Sequence, residues 1–223
     1  AVTTGVQNTL IGALAGDALT DADHNVAVGL NALTADTLGS KSTAIGTGAL
    51  GTQNFTSATN VYNTAVGYDA GVAVTTGIQN TLIGGLVADN LTTGKNNVAV
   101  GYQALETEDT GDRSVAIGSF TLKTQNNDAD NYNTAVGYAA GLSVTTGVNN
   151  TLIGGLAGDA LTDADSNTAI GTNSLATDRL GSRSVAIGQG SLFSQNFGTA
   201  TNTLNTAVGY EAGVLLNGGV NCT

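Results

Sequence analysis

The chain has 223 residues and a net charge of −11, from 17 acidic against 6 basic residues; nucleic acid is excluded as a partner, because phosphates are held by Lys and Arg surfaces. Charged residues are 10%, aromatics 4%, Trp and Met are absent and Gly numbers 32, so large apolar side chains are too scarce for one thick globular core. The single Cys222 and single His24 exclude an intramolecular disulfide framework, a Cys-based zinc cluster and a multi-His site within one chain. There is no Pro, which excludes collagen and a Pro-rich linker. No apolar run approaches the ~20 residues of a membrane helix, so no membrane insertion of this segment is expected, and no signal peptide is legible. The start at Ala1 rather than Met suggests a fragment or a processed product.

Along the chain, a five-residue motif of Asn/Ser, Thr/Val, Ala/Leu, Ile/Val and Gly recurs twelve times. It runs Asn8-Thr9-Leu10-Ile11-Gly12, then Asn25-Val26-Ala27-Val28-Gly29, then Ser42-Thr43-Ala44-Ile45-Gly46, then Asn63-Thr64-Ala65-Val66-Gly67. Successive motif glycines lie 17, 17, 21, 17, 17, 17, 19, 17, 17, 17 and 21 residues apart. The unit is therefore 17 residues, with one longer unit in every four. A larger period stands above it, since the stretch 75–84 returns at 145–154 and opens the chain at 3–12. The reading is one repeat array over 1–223, with super-repeats 1–72, 73–142 and 143–214 and the start of a further one at 215–223, where Cys222 takes the place of Asn80.

Each unit holds a second apolar stretch two residues after the glycine, as in Ala32-Leu33, Ala49-Leu50, Ala104-Leu105, Ser174-Leu175 and Ser191-Leu192. A 17-residue unit is too short for a helical-hairpin repeat, and Val, Ile and Thr favour strands. The expectation is an all-β parallel β-solenoid of twelve coils, two short strands per coil, roughly 50–60 Å long.

The glycine in every copy (Gly12, Gly29, Gly46, Gly67, Gly84, Gly101, Gly118, Gly137, Gly154, Gly171, Gly188 and Gly209) marks a corner with φ > 0 or a close approach of chains. Neither a phosphate-binding glycine loop nor a calcium nonapeptide is present. Asn at the motif start stands in nine copies and Ser in three, which suits side chains stacked along the solenoid that satisfy turn backbone groups. Because strand side chains alternate, Thr/Val and Ile/Val share one face and Ala/Leu the other. Both faces are apolar or small in every unit, so one of them should meet a partner. The stripe is unbroken, which points to a coaxial homo-oligomer, most naturally a homotrimer.

Ser114-Val115-Ala116-Ile117-Gly118 and Ser184-Val185-Ala186-Ile187-Gly188 resemble the head repeat of YadA-type trimeric autotransporter adhesins. The form Asn-Thr-Ala-Val-Gly-Tyr at 63–68, 133–138 and 205–210 is similar to repeats of phage tail fibres and other virion fibres. The resemblance covers essentially the whole chain; the departure is the unit length, since adhesin head units are commonly shorter. It implies a left-handed β-roll in each chain, trimerised about a long axis, with no catalytic residues. It also implies an extracellular place on a virion fibre or a bacterial cell surface.

The functional expectation is a structural and adhesive fibre segment, a rigid spacer whose loops carry attachment to a host-cell surface glycan or protein receptor. One alternative is a glycan-degrading tail-spike-type enzyme, which needs two carboxylates at a defined separation. The pairs Asp21/Asp23, Asp163/Asp165 and Asp128/Asp130 fall in turns where Asp serves backbone needs, and two of them repeat in equivalent units, unlike one active site. A further alternative is an ice-binding solenoid, which needs a flat exposed Thr array; here Thr shares its face with Ile/Val. No cofactor is expected; Ca²⁺ at the Asp-Ala-Asp turns (20–25 and 162–167) lacks a complete ligand set from one loop, and His24 there reads as an exposed loop residue.

Two sets of residues stand out. Lys41, Arg113 and Arg183 each precede a motif Ser, with Asp36, Glu108 and Asp178 five residues earlier, and a recurrent ion pair is expected. In or beside the long connections at 51–62, 123–132 and 194–204 stand aromatics and amides suited to recognition: Asn54, Phe55, Tyr62, Asn126, Asn127, Tyr132, Phe193, Asn196 and Phe197. The competing reading has the aromatics plug each loop against the roll.

Overall fold

The computed structural model describes residues 2–223. It is all β, with the strands β1 (Thr9–Ile11), β2 (Val26–Val28), β3 (Gly39–Ser40), β4 (Thr43–Ile45), β5 (Thr59–Asn60), β6 (Thr64–Val66), β7 (Thr81–Ile83), β8 (Val98–Val100), β9 (Val115–Ile117), β10 (Thr134–Val136), β11 (Thr151–Ile153), β12 (Thr168–Ile170), β13 (Gly181–Ser182), β14 (Val185–Ile187), β15 (Thr201–Asn202) and β16 (Thr206–Val208). The twelve motif strands form one parallel sheet in the order β1-β2-β4-β6-β7-β8-β9-β10-β11-β12-β14-β16. The chain is thus a parallel β-solenoid of about twelve coils. Register follows the motif position, with Thr9 opposite Val26, Leu10 opposite Ala27 and Ile11 opposite Val28, and so on along the stack.

Only one strand per coil enters this sheet, which corrects the expected two. The second apolar stretch turns instead of extending. Leu33, Leu50, Leu105, Leu122, Leu175 and Leu192 sit at φ between 47° and 56°, the left-handed region. Side chains there cost about 1–2 kcal/mol each, and bonds between coils offset that cost. Leu33 N donates to Ala49 O at 3.0 Å and Leu50 N to Ala70 O at 3.1 Å. Elsewhere among the described residues, β3 pairs with β5 and β13 with β15, and an isolated parallel bridge joins Asp112 to Asp130.

The motif glycine meets both of its expected needs. Gly101 has φ 134°, and a Cβ there would stand 2.6 Å from the carbonyl oxygen of Gly118 in the next coil. The motif Asn also behaves as expected. Asn97 Oδ1 accepts from Ser114 N at 2.8 Å, while its Nδ2 donates to Gly111 O at 2.8 Å. The same pair of bonds recurs at Asn25, Asn80, Asn150 and Asn167.

The roll interior is filled from three columns: the motif centre and the residues four and seven after the motif glycine. They read Leu10, Gly16, Leu19 in the first coil, Ala27, Leu33, Asp36 in the second, Ala44, Leu50, Gln53 in the third and Ala65, Gly71, Val74 in the fourth. The cycle returns as Leu82, Ala88, Leu91 and then Ala99, Leu105, Glu108. Volume is exchanged between columns, since a Cβ on Gly16 would come within 2.8 Å of both Leu10 and Leu19. Close packing of this kind needs a small residue wherever its neighbours are large.

Candidate functional site

Two surfaces stand out among the described residues: the outward face of the long sheet and the three long loops. The motif centres are fully buried in interior strands, so the Ala/Leu face is the roll core. Thr/Val and Ile/Val therefore point away from it. In interior strands Ile45, Ile83, Ile117, Ile153 and Ile187 keep 36–39% of their surface exposed, and at the two ends, where one neighbour is missing, Ile11 and Val208 reach 59% and 66%. At about 4.8 Å per strand the two columns run for about 53 Å along the stack. Tyr68, Tyr102, Tyr138 and Tyr210, each just past its glycine, extend the apolar edge and are exposed. Tyr102, Phe120 and Tyr138 meet edge to face, at 5.6 and 5.9 Å between ring centres.

The long loops leave the roll at one corner. Their tips at 56–58, 128–130 and 198–200 are exposed, and β5 and β15 tie the first and third to the coil before, Gly39 facing Thr59 and Gly181 facing Thr201. Beneath each root lies a fully buried carboxylate. Asp36 accepts from Gly39 N at 3.0 Å, Phe55 N at 3.1 Å and Gln53 Nε2 at 2.6 Å. Glu108 accepts from Gly111 N at 2.8 Å, Asn127 N at 3.4 Å, Gln125 Nε2 at 2.8 Å and Asn131 Nδ2 at 3.2 Å. Asp178 accepts from Gly181 N at 3.1 Å, Phe197 N at 3.0 Å and Gln195 Nε2. Burial pushes the Glu108 carboxyl above the usual range, against the downward pull of its bonds from Gln125, Gly111 and Asn127.

The Gln of each cluster also bridges a break in the Asn ladder. Where the motif starts with Ser, the side chain does not make the Asn pair of bonds to the next coil, although Ser184 Oγ does meet Thr203 Oγ1 there. Gln53 Nε2 donates to Ser42 Oγ at 3.1 Å, and its Oε1 accepts from Asn63 Nδ2 at 2.9 Å. Gln125 does the same between Ser114 and Asn133, and Gln195 between Ser184 and Asn205.

The expected ion pairs Asp36–Lys41, Glu108–Arg113 and Asp178–Arg183 do not form. The acids occupy the core column seven residues after a glycine. The bases sit at φ 67°, 61° and 65°, in a corner position on the solvent side of the chain. Lys41 Nζ lies 5.2 Å above the Tyr62 ring and donates to its hydroxyl at 3.2 Å. Arg113 lies 5.6 Å over Tyr132 and pairs with Asp130. The other ion pair among the described residues joins Lys123 to Glu106 at 3.0 Å.

Of the residues singled out for recognition, Asn54, Asn126 and Asn196 are exposed, and Tyr62 and Tyr132 are exposed beneath their cations. Phe55 is buried, and Phe197 and Asn127 are half-buried. Phe193 lies outside the loop proper. It lines a depression of about 230 Å³ with Asn173, Gln189 and Glu211. A larger hollow of about 360 Å³ is the roll interior left open beside β16, between Leu192, Ala207 and Leu216. The turn acids are engaged by the preceding coil: Thr4 donates to Asp21, Val6 N to Asp23, Thr146 to Asp163 and Val148 N to Asp165. His24 is exposed. Among the described residues no three His, Cys, Asp or Glu side chains gather as a metal site. No protein-family model matches the chain, and no curated protein or solved structure matches it either.

Proposed function

We propose that the chain is a rigid segment of a coaxial homotrimeric fibre on a virion or a bacterial surface, with the loops serving attachment to a host-cell glycan or protein receptor. The observation that carries this reading is the outward column of β-branched residues, in register over twelve strands. Such a face favours a second copy of itself, because only an equally long and equally periodic partner covers every strand. A trimer buries three of these faces about one axis and leaves the loops at the outer corners. The acidic surface, net −11, keeps neighbouring fibres apart. The head-repeat resemblance points the same way.

Light scattering coupled to size-exclusion chromatography tests the assembly. Three times the chain mass at micromolar concentration is expected. A monodisperse monomer overturns the proposal, and a monomer that also shows thermal hysteresis turns the Thr-bearing face into an ice-binding one. Binding of the fibre to host cells, compared before and after shortening of the three loops, tests the attachment role.

A further inference from the structure

We infer that Asp36, Glu108 and Asp178 are loop clamps: each buried carboxylate orders the root of the long loop in the following coil, and that order is lost with the carboxylate while the roll remains. The inference stands on the buried clusters and is independent of whether the chain assembles.

Three observations carry it. Each acid fills a core column that holds Leu19, Val74, Leu91, Val144 or Leu161 in the coils away from the long loops and Gln53, Gln125 or Gln195 in the coil after each acid, so the buried polar side chains there come only as adjacent acid and Gln layers at the loops. None of the three has a cation within ion-pair distance, since the ion pairs among the described residues are Arg113–Asp130 and Lys123–Glu106. What satisfies each charge instead is N–H groups, one of them always a backbone amide at the loop root: Phe55, Asn127 or Phe197. A buried charge left without such donors is very costly. Acid burial and loop-root order are therefore coupled, and neither persists without the other. The exposed tips make no equivalent contact with the core, so the clamp fixes where a tip emerges and leaves its chemistry free. Pre-organisation of this kind lowers the ordering cost of whatever the tip meets.

The test is hydrogen exchange by mass spectrometry with limited proteolysis on the full chain. In Asp178→Ala, exchange at Phe197 and cleavage within 198–200 should rise tenfold or more. The loops at 51–62 and 123–132 serve as internal controls and should stay unchanged, as should β14. Asp178→Asn, which keeps an acceptor for the Gly181 and Phe197 amides, should retain the protection. Loop exchange in Asp178→Ala within about twofold of wild type overturns the clamp, as does loss of protection spread equally over β14 and β16, which would make the acid a general core element.

Discussion

The carbonyl oxygen of Gly118 stands 2.6 Å from the point where Gly101 would carry a Cβ. One glycine column is thus the floor on which the next coil rests, and the stacking distance of the solenoid is set there. Gly101→Ala must move the coils apart and also hold a side chain at φ 134°. The expected loss is at least about 1–3 kcal/mol from the backbone strain alone. Gly155→Ala, with no atom within 4 Å of its Cβ, is the control and should be near neutral. Urea unfolding of both variants checks the difference.

Neighbouring residues of β9 should report on opposite sides of the sheet. Ile117 points outward and Ala116 is fully buried. Ile117→Asp is expected to leave far-UV circular dichroism unchanged while lowering the mass seen in sedimentation velocity. Ala116→Leu should instead leave assembly intact and destabilise the roll by about 1–3 kcal/mol through overpacking against Leu122 and its neighbours.

Asn97→Ala deletes the acceptor for Ser114 N and the donor to Gly111 O, both in a buried setting. Leaving such groups unpaired costs about 1–3 kcal/mol each. Exchange at Ser114 should accelerate well before that of strands three or more coils away, because each repeat contacts only its neighbours.

Glu108 gives a pH signature of definite sign. Its carboxyl titrates above the ordinary value in the folded chain because burial penalises the charge. The folded state therefore binds this proton more tightly than the unfolded state does. Its contribution to stability is present at low pH and fades as pH rises through the raised value. Glu108→Gln removes the effect, so the stability of wild type relative to Glu108→Gln should fall as pH rises above the ordinary glutamate value. Paired denaturation curves across that rise measure it; a flat difference would falsify the assignment.

Much of this was legible in the residues. The twelve glycines marked the corners, their spacing marked the three insertions, and the Val/Ile/Thr motif marked the strands. Alternation shows that two faces exist but not which is inside; Leu10, Leu82 and Leu152 at the motif centre hold the answer, since each faces a small residue four positions past the glycine. The ion-pair reading failed for a related reason. Five residues separate Asp36 from Lys41 along the chain, but Lys41 itself takes the left-handed corner on the solvent side while Asp36 is fully buried in the core column. A signal was present: counted from the motif glycine, Asp36, Glu108 and Asp178 align with the buried Leu19, Leu91 and Leu161, and the coil after each acid carries Gln53, Gln125 or Gln195 at the same position. The two-strand coil failed because Leu33 and its equivalents look like strand residues and serve as turn residues.

The acid and Gln layers recur once in four coils, and this sets the quantum by which such a molecule can change length. Deleting the coil of Gln53 would bring the layer of Asp36 against that of Ala65, Gly71 and Val74, with no Gln or loop amide to meet it. Deleting four restores every neighbour. Duplications and losses that survive should therefore come in blocks of 70–72 residues, lengthening or shortening the rod in steps of roughly 19 Å.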